Sequence, residues 1–577
     1  MLTLDPPKAQ APRHHYLPAD FKLQDWAQLQ PYYEELTDRV IPDAAALEQW
    51  LLDWNELDAV VGEDFAWRYV RMSQHSADAE IAEAYQFAVT QIAPHVAPFE
   101  DQLNRKLVDS PFRDRLDLPG YDLLLRSVEN AVALYREENI ELGTQAQLKA
   151  KEYGQLFGAI SVEVDGETLT LQQAATLLEE PDRAQRERVY HLINQRLQQD
   201  TEALEAIFDE LVRLRHQMAV NAGFDNYRDY KFRALDRFDY TVRDCLDFHA
   251  SIAQAMVPLE GKLLRYRKEA LGLDTLRPWD LSVDISGGDP LRPFEGGEQL
   301  LAKSIETLAQ VHPYFGECLR TMHDMEHLDL VSRANKSPGG YNMPLMWTGV
   351  PFVFMNATKS FGDLRTLMHE SGHAVHSFLS RHYKLVAAKR VPSEVAELAS
   401  MTMELLSMDH WANFFPNEAD WKRARIKQLS GVLKTLPWIA TIDAFQHWIY
   451  THPTHTRAER KENWLRIKAQ YEAAGVDRSG LEAYGEYTWH KQLHLYQVPF
   501  YYIEYGFAQL GAIAIWQRYR ENPETALHDY VRALQLGYTR PIPELYAAAG
   551  IEFNFSPTYV QSLGDFVQQE LDALLEI

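Results

Sequence analysis

The stretch "LQQAATLLEEPDRAQRERVYHLINQRLQQDTEALEAIFDELVRLRHQMAVNAG", residues 171–223, limits the possible folds more than any other feature of this chain. Apolar residues recur at three- and four-residue spacing, and no proline interrupts the run after Pro181. That is the period of an α-helix; a half-buried strand would alternate every second residue. An amphipathic helix has to bury its apolar stripe, so several such runs must pack on one another. A second run of the same kind, "AALEQWLLDWNELDAVVGEDFAWRYVRM", spans residues 45–72, and residues 364–577 are mostly of helical pattern. The expected fold class is therefore mainly α.

Two places break the pattern. In "ISVEVDGETLTL", residues 160–171, alternating stretches flank Asp165-Gly166, which predicts a β-hairpin. In "NKSPGGYNMPLMWTGVPFVFMNATKSFGD", residues 335–363, glycines punctuate an apolar, aromatic run, "PFVFMN", of strand character. A small β element is expected there, just ahead of the next helix. At 577 residues the chain is too long for one ordinary core. The expected organisation is a loose, Pro-rich tail over 1–15, an N-terminal helical lobe over 16–185 carrying the hairpin near 160–171, and a larger domain over 186–577.

Bulk charge excludes some partners. A formal net charge of −26 repels nucleic acid phosphates and anionic membranes. No apolar run approaches the roughly 20 residues of a membrane-spanning helix. Only Cys245 and Cys318 are present, and the start shows no basic segment followed by an apolar one, so a cytoplasmic protein is expected.

The chemistry begins at "LRTLMHESGHAVHSFLS", residues 364–380. On a helix His369 and His373 share a face and can offer two imidazole nitrogens to one cation, while Glu370 can address a water on it. A catalytic zinc site usually has a third protein ligand and one open position. Leu379 stands where the metzincin pattern needs histidine, which excludes that subclass, and His376 is read as a packed or supporting residue. In "KRVPSEVAELASMTMELLSMD", residues 389–409, Pro392 and Ser393 suit a helix start, and Glu394, Glu397 and Glu404 follow. Glu394 and Glu397, three apart, could both approach one side, and periodicity alone does not choose between them. Downstream, "HKQLHLYQVPFYYIEYGFAQLG", residues 490–511, crowds His490, His494, Tyr496, Tyr501, Tyr502 and Tyr505 together. A protonated tyrosine can donate to a developing oxyanion.

"HESGHAVHSF" followed by "VPSEVAELAS" resembles the M3 family of zinc metallopeptidases, in particular the oligoendopeptidase F group. "NKSPGGYNMP", "PFVFMN" and "HLYQVPFYYIEYGFAQLG" resemble family segments in the same order, so the likeness is strong over about 335–515. It continues more weakly toward both ends, as in "DRAQRERVY". The resemblance implies one Zn2+ per chain, held by His369, His373 and the glutamate of Ala396-Glu397, with Glu370 as general base. It implies that His494 and Tyr505 stabilise the oxyanion, with Tyr501 or Tyr502 assisting. It further implies a helical body around a deep channel that admits short, unstructured peptides. Gly339, Gly340 and Tyr341 are candidates for holding an extended peptide. The sequence departs from some family branches, whose corresponding loop is glycine-rich: here it reads "LYQVPF". The expected activity is endopeptidase. The alternatives are a carboxypeptidase or dipeptidase of the same fold, a non-peptide amidohydrolase, or an inactive helical scaffold.

Overall fold

The computed structural model describes residues 12–576 other than 334 and 338, together with residues 4 and 7. Helix accounts for 69% of it, and the sheets are small. Its long helices include, in chain order, α1 (Ala44–Gln74), α2 (Val242–Ala270), α3 (Phe361–Ser380), α4 (Ser393–Met408), α5 (Glu418–Thr451) and α6 (Ile503–Glu521). Among the described residues no helix is long and apolar enough to cross a membrane. The chain forms two compact units that each draw on separated segments. One comprises the chain up to Ala133 with Arg292–Trp421 and Gly511–Phe553; the other comprises Leu134–Leu291, Lys422–Leu510 and Asn554 onward.

In the second unit, β1 (Ser161–Val164) and β2 (Glu167–Thr170) pair antiparallel, Ser161 opposite Thr170 and Val164 opposite Glu167. Asp165 (φ 54°) and Gly166 (φ 87°) form the two-residue connection in the left-handed region that such tight hairpins need. Val162 and Val164 turn inward and pack with Ala174 and Val189. A hairpin of two strands is marginal alone, and this helical floor is what buries its one apolar face.

In the first unit, β3 (Leu328–Val331), β4 (Tyr341–Met343) and β5 (Phe352–Ala357) form a sheet of order β3-β5-β4. β5 runs parallel to β3 and antiparallel to β4. Central β5 is buried along nearly its whole length, as a strand covered on both faces should be. β4 is an edge strand. Val70, Leu345, Phe352 and Phe354 close a small core on it with Trp67 and Tyr341. From β5 the chain passes directly into α3, whose start is fixed by reciprocal caps: Ser360 Oγ accepts from Asp363 N at 3.2 Å, and the Asp363 carboxylate accepts from Ser360 N at 2.8 Å.

The tail expected over residues 1–15 lies mostly outside the described residues. Its described end is tied down: the Glu56 carboxylate on α1 accepts from the backbone N–H groups of His15, Tyr16 and Leu17 at 3.0–3.2 Å. His14 contacts Glu56 at 3.2 Å and stacks on Trp347 with ring centroids 4.6 Å apart. His455 is likewise engaged, accepting from Arg460 Nε at 2.8 Å. Both partners are remote in sequence or on another turn, so local polarity could not announce them.

Candidate active site

The site is built where α3 crosses α4, and Gly372 sets how closely they approach. A Cβ at position 372 would lie 2.5 Å from both the Ala399 carbonyl oxygen and Ser400 Cα. Only glycine admits that contact without separating the helices. Tyr530, donating to the Ala399 carbonyl at 2.7 Å, holds the same turn of α4 from another side. The close crossing brings Glu397 over one face of α3. Its Oε2 lies 3.1 Å from His369 Nε2 and 3.7 Å from His373 Nε2. The ligand atoms of His369, His373 and Glu397 all lie within 4.8 Å of one another.

Supporting contacts orient each member. Glu404, two turns beyond Glu397, accepts at 2.7 Å from Nδ1 of His369, which directs Nε2 toward Glu397. Ser400 Oγ donates to Glu397 Oε2 at 3.0 Å. The Ala396 carbonyl accepts a hydrogen bond from His373. Burial brings the His373 pKa down to about 4, so its ring is neutral at physiological pH. Glu397 is driven the other way from the burial that would raise it: the charge of His373 and the hydrogen bond from His369 bring it to about 2. His369 is also penalised by burial, yet bonds to Glu397 and Glu404 hold it well above the usual range. A neutral imidazole, an ionised carboxylate and a second imidazole between two acids form a donor set that fits a divalent cation. Two nitrogens and one oxygen, with one position left, is the pattern of a catalytic zinc site.

Glu370 is 7% exposed, and its carboxylate has no hydrogen-bond partner among the described residues. Burial, reinforced by the nearby Glu397 and Glu404 charges, pushes its carboxyl up to about 7 despite the opposing effect of His369. Asn342 of β4 donates to the Glu370 backbone carbonyl at 3.2 Å, tying the sheet edge to α3. His376, one turn past His373, is buried with neither ring nitrogen hydrogen-bonded among the described residues, and burial brings its pKa to about 3. It belongs to the packing and not to the ligand group. Glu394 is also buried and outside that group.

In the second unit, His494, Tyr501, Tyr502 and Tyr505 form one aromatic cluster. The His494 ring lies 4.7 Å from Tyr502, 5.9 Å from Tyr505 and 6.1 Å from Tyr501. Trp438 Nε1 donates to Gln492 Oε1 at 2.9 Å, so the Gln492 amide nitrogen faces His494 Nδ1, 2.6 Å away. That contact leaves the imidazole proton on Nε2. Burial raises Tyr502 to about 12, which keeps its hydroxyl protonated. The glycine-free turn before the tyrosines is rigidly braced. Phe500 adopts φ 68°, its N–H donates to Gln446 Oε1 at 2.7 Å, and its carbonyl accepts from Arg237, which pairs with Glu504 at 2.7 Å. A bulky residue in the left-handed region persists only when its surroundings hold it there.

Gly339 has φ 97° and an open Cα, its carbonyl accepting from Asn356 at 2.8 Å. Gly340 passes under the Phe354 carbonyl, 3.2 Å from where a Cβ would stand. The Tyr341 ring stacks on Phe354 at 4.9 Å, so what this residue offers outward is its backbone on edge strand β4.

Residues 176–565 match the profile of peptidase family M3, and residues 18–135 match that of the peptidase M3 N-terminal domain. The chain belongs to peptidase family M3. Within it, this M3 chain is 23% identical to oligopeptidase PepF of Bacillus subtilis (strain 168) over 334 residues, 56% of this chain and 47% of that one. The chain spans about half the length of the curated relatives it matches. Among solved structures, PZ peptidase A with inhibitor 2 superposes with a TM-score of 0.89 at 28% identity, covering 96% of this chain and 99% of that one. Oligoendopeptidase-F from Enterococcus faecium, at 16% identity and a TM-score of 0.64 over 96% of this chain and 97% of that one, shares the fold.

Two residues that shape the M3 site escaped the sequence reading. Glu404 was named on its helix but given no role, and its spacing of seven from Glu397 was the usable signal, since i and i+7 share a helix face. Gly372 sits inside the histidine motif, where a mid-helix glycine marks either weakness or a close approach.

Proposed function

We propose that this M3 chain is a zinc-dependent endopeptidase that hydrolyses internal bonds of short, unstructured oligopeptides. The observation that carries the reading is the group of His369, His373 and Glu397, with the buried, unbonded Glu370 carboxylate on the same helix. His369, His373 and Glu397 would hold the ion. Bound there, zinc supplies Lewis acidity toward water and the scissile carbonyl. Glu370, its pKa raised to about 7, takes the proton from the attacking water and delivers it to the leaving amine. His494, through Nε2–H, and Tyr505 act as donors to the oxyanion, with Tyr501 or Tyr502 assisting. Each such donor is worth about 2.7–4 kcal/mol of barrier. The free edge of β4, with Gly339, Gly340 and the Tyr341 backbone, pairs with an extended substrate. Cys245 and Cys318 are both buried and form no disulfide among the described residues, which supports a reducing, cytoplasmic setting.

Peptides of graded length, blocked at both ends, separate this reading from its relatives by product mass. The expected result is internal cleavage of short blocked peptides, no attack on a folded protein, and loss of the peptide cleavage on adding a chelator. Trimming that requires a free terminus would establish a carboxypeptidase or dipeptidase instead.

A further inference from the structure

Lys434 and Lys491 belong to the second unit, and neither makes a hydrogen bond or ion pair with any described residue. Lys434 lies one helical turn before Trp438 on α5, and Lys491 Nζ sits 5.8 Å from the centre of the Trp438 ring. Trp438 in turn holds Gln492, which holds His494. One of these cations thus sits by the indole that anchors the histidine and tyrosine cluster, and the other lies one turn away on the helix that carries it. Both side chains are open to solvent, yet the surrounding protein dehydrates them. That loss of hydration lowers the pKa of each, and Lys491 is lowered further by the charges of Lys434 and Lys468. The acid that acts on Lys434, Glu260, is itself pushed up to about 7 by burial, so it compensates that lysine only in part. Lys468, by contrast, has Glu472 at 3.7 Å. In a chain of net charge −26, paired cations are easily arranged. Two left unpaired beside each other repel, and an anion relieves that repulsion.

We propose that Lys434 and Lys491 bind a carboxylate of the peptide substrate. The proposal rests on the peptidase reading above and adds a specificity to it. An ammonium is a compact point charge without the bidentate geometry of arginine, so it accepts a carboxylate presented from varied directions. That suits peptides of differing length. Every linear peptide brings one such group at its C-terminus, and an acidic side chain brings the same chemistry.

The test compares three peptides of one sequence on the zinc-loaded enzyme: the free acid, the C-terminal amide, and the amide with an internal glutamine changed to glutamate. The expected result is a KM about tenfold lower for a carboxylate-bearing peptide than for the neutral amide, a gap that narrows as salt is raised. A preference for the free acid identifies the C-terminus as the source, and a preference for the glutamate peptide identifies the side chain. In the folded double variant Lys434→Met, Lys491→Met, checked by its thermal melt, the gap closes. Equal KM values in the wild type, or a gap that survives in the double variant, overturn the proposal. Calorimetric binding of the same peptides to the zinc-loaded Glu370→Gln protein reads the preference without turnover. Selective binding in a wild type that cleaves nothing would sink the peptidase reading while keeping this one.

Discussion

Glu370→Gln keeps its bound metal and loses about 10²–10⁴-fold in kcat, the range that a positioned general base contributes. Glutamine has nearly the same shape and stays within the same packing, but it cannot accept a proton. The Glu370 carboxyl lies outside the ligand group, so removing its charge leaves His369, His373 and Glu397 in place. Its environment suits the role: burial raises it to about 7, where a carboxylate is basic enough to take a proton near neutral pH. His369→Ala differs in kind, because it removes a ligand, and metal and turnover are lost together. Steady-state kinetics alongside metal analysis of both proteins separates the two outcomes. Normal cleavage by Glu370→Gln removes Glu370 from the mechanism.

Gly372→Ala, a single added methyl, is expected to lower metal affinity about 10–100-fold, the cost typical of disturbing the shell behind a ligand. Overpacking of this kind destabilises by about 1–3 kcal/mol. The new Cβ would meet a carbonyl oxygen and a Cα at 2.5 Å, both of them backbone and unable to rotate away. α3 and α4 must therefore part at Ala399 and Ser400, next to Glu397, whose Oε2 is bonded to Ser400. Gly62→Ala is the control. It too lies within a long helix, α1, but nothing stands within 4 Å of its Cβ position, so alanine there stabilises by about 0.5–1 kcal/mol. Zinc titration and thermal melts of the two variants read the contrast. A Gly372→Ala protein with wild-type affinity would show that the close crossing does not position the site.

Local signals were enough for the features that depend on local spacing. The His369 and His373 pair and the turn at Asp165-Gly166 were legible because helix pitch and hairpin geometry are written in adjacent residues. The small sheet ahead of α3 was expected from the glycines and the run over 351–356. Its order was not, because β3 joins parallel to β5 from outside the stretch that was read as strand-like. Glu397 was chosen over Glu394 by family resemblance, and the physical reason for its placement lies in Gly372, a contact between helices that no single helix reveals. The unpaired state of Lys434 and Lys491 was equally hidden, since their meeting at Trp438 depends on where residues 485–494 fold back on α5. Phe500 could not be read as a left-handed residue either. Sequence favours glycine in that conformation, and here Gln446 and Arg237 enforce it from other elements.

The central claim is that one metal ion, held by His369, His373 and Glu397, is required for peptide hydrolysis. Protein stripped with a chelator and then titrated with zinc, assayed on a peptide blocked at both ends, tests it most directly. Cleavage should be absent at the start, rise in proportion to added zinc and level off at one ion per chain, with Glu397→Gln failing to recover over the same range. Undiminished cleavage by the stripped protein, or recovery that Glu397→Gln matches, would contradict it.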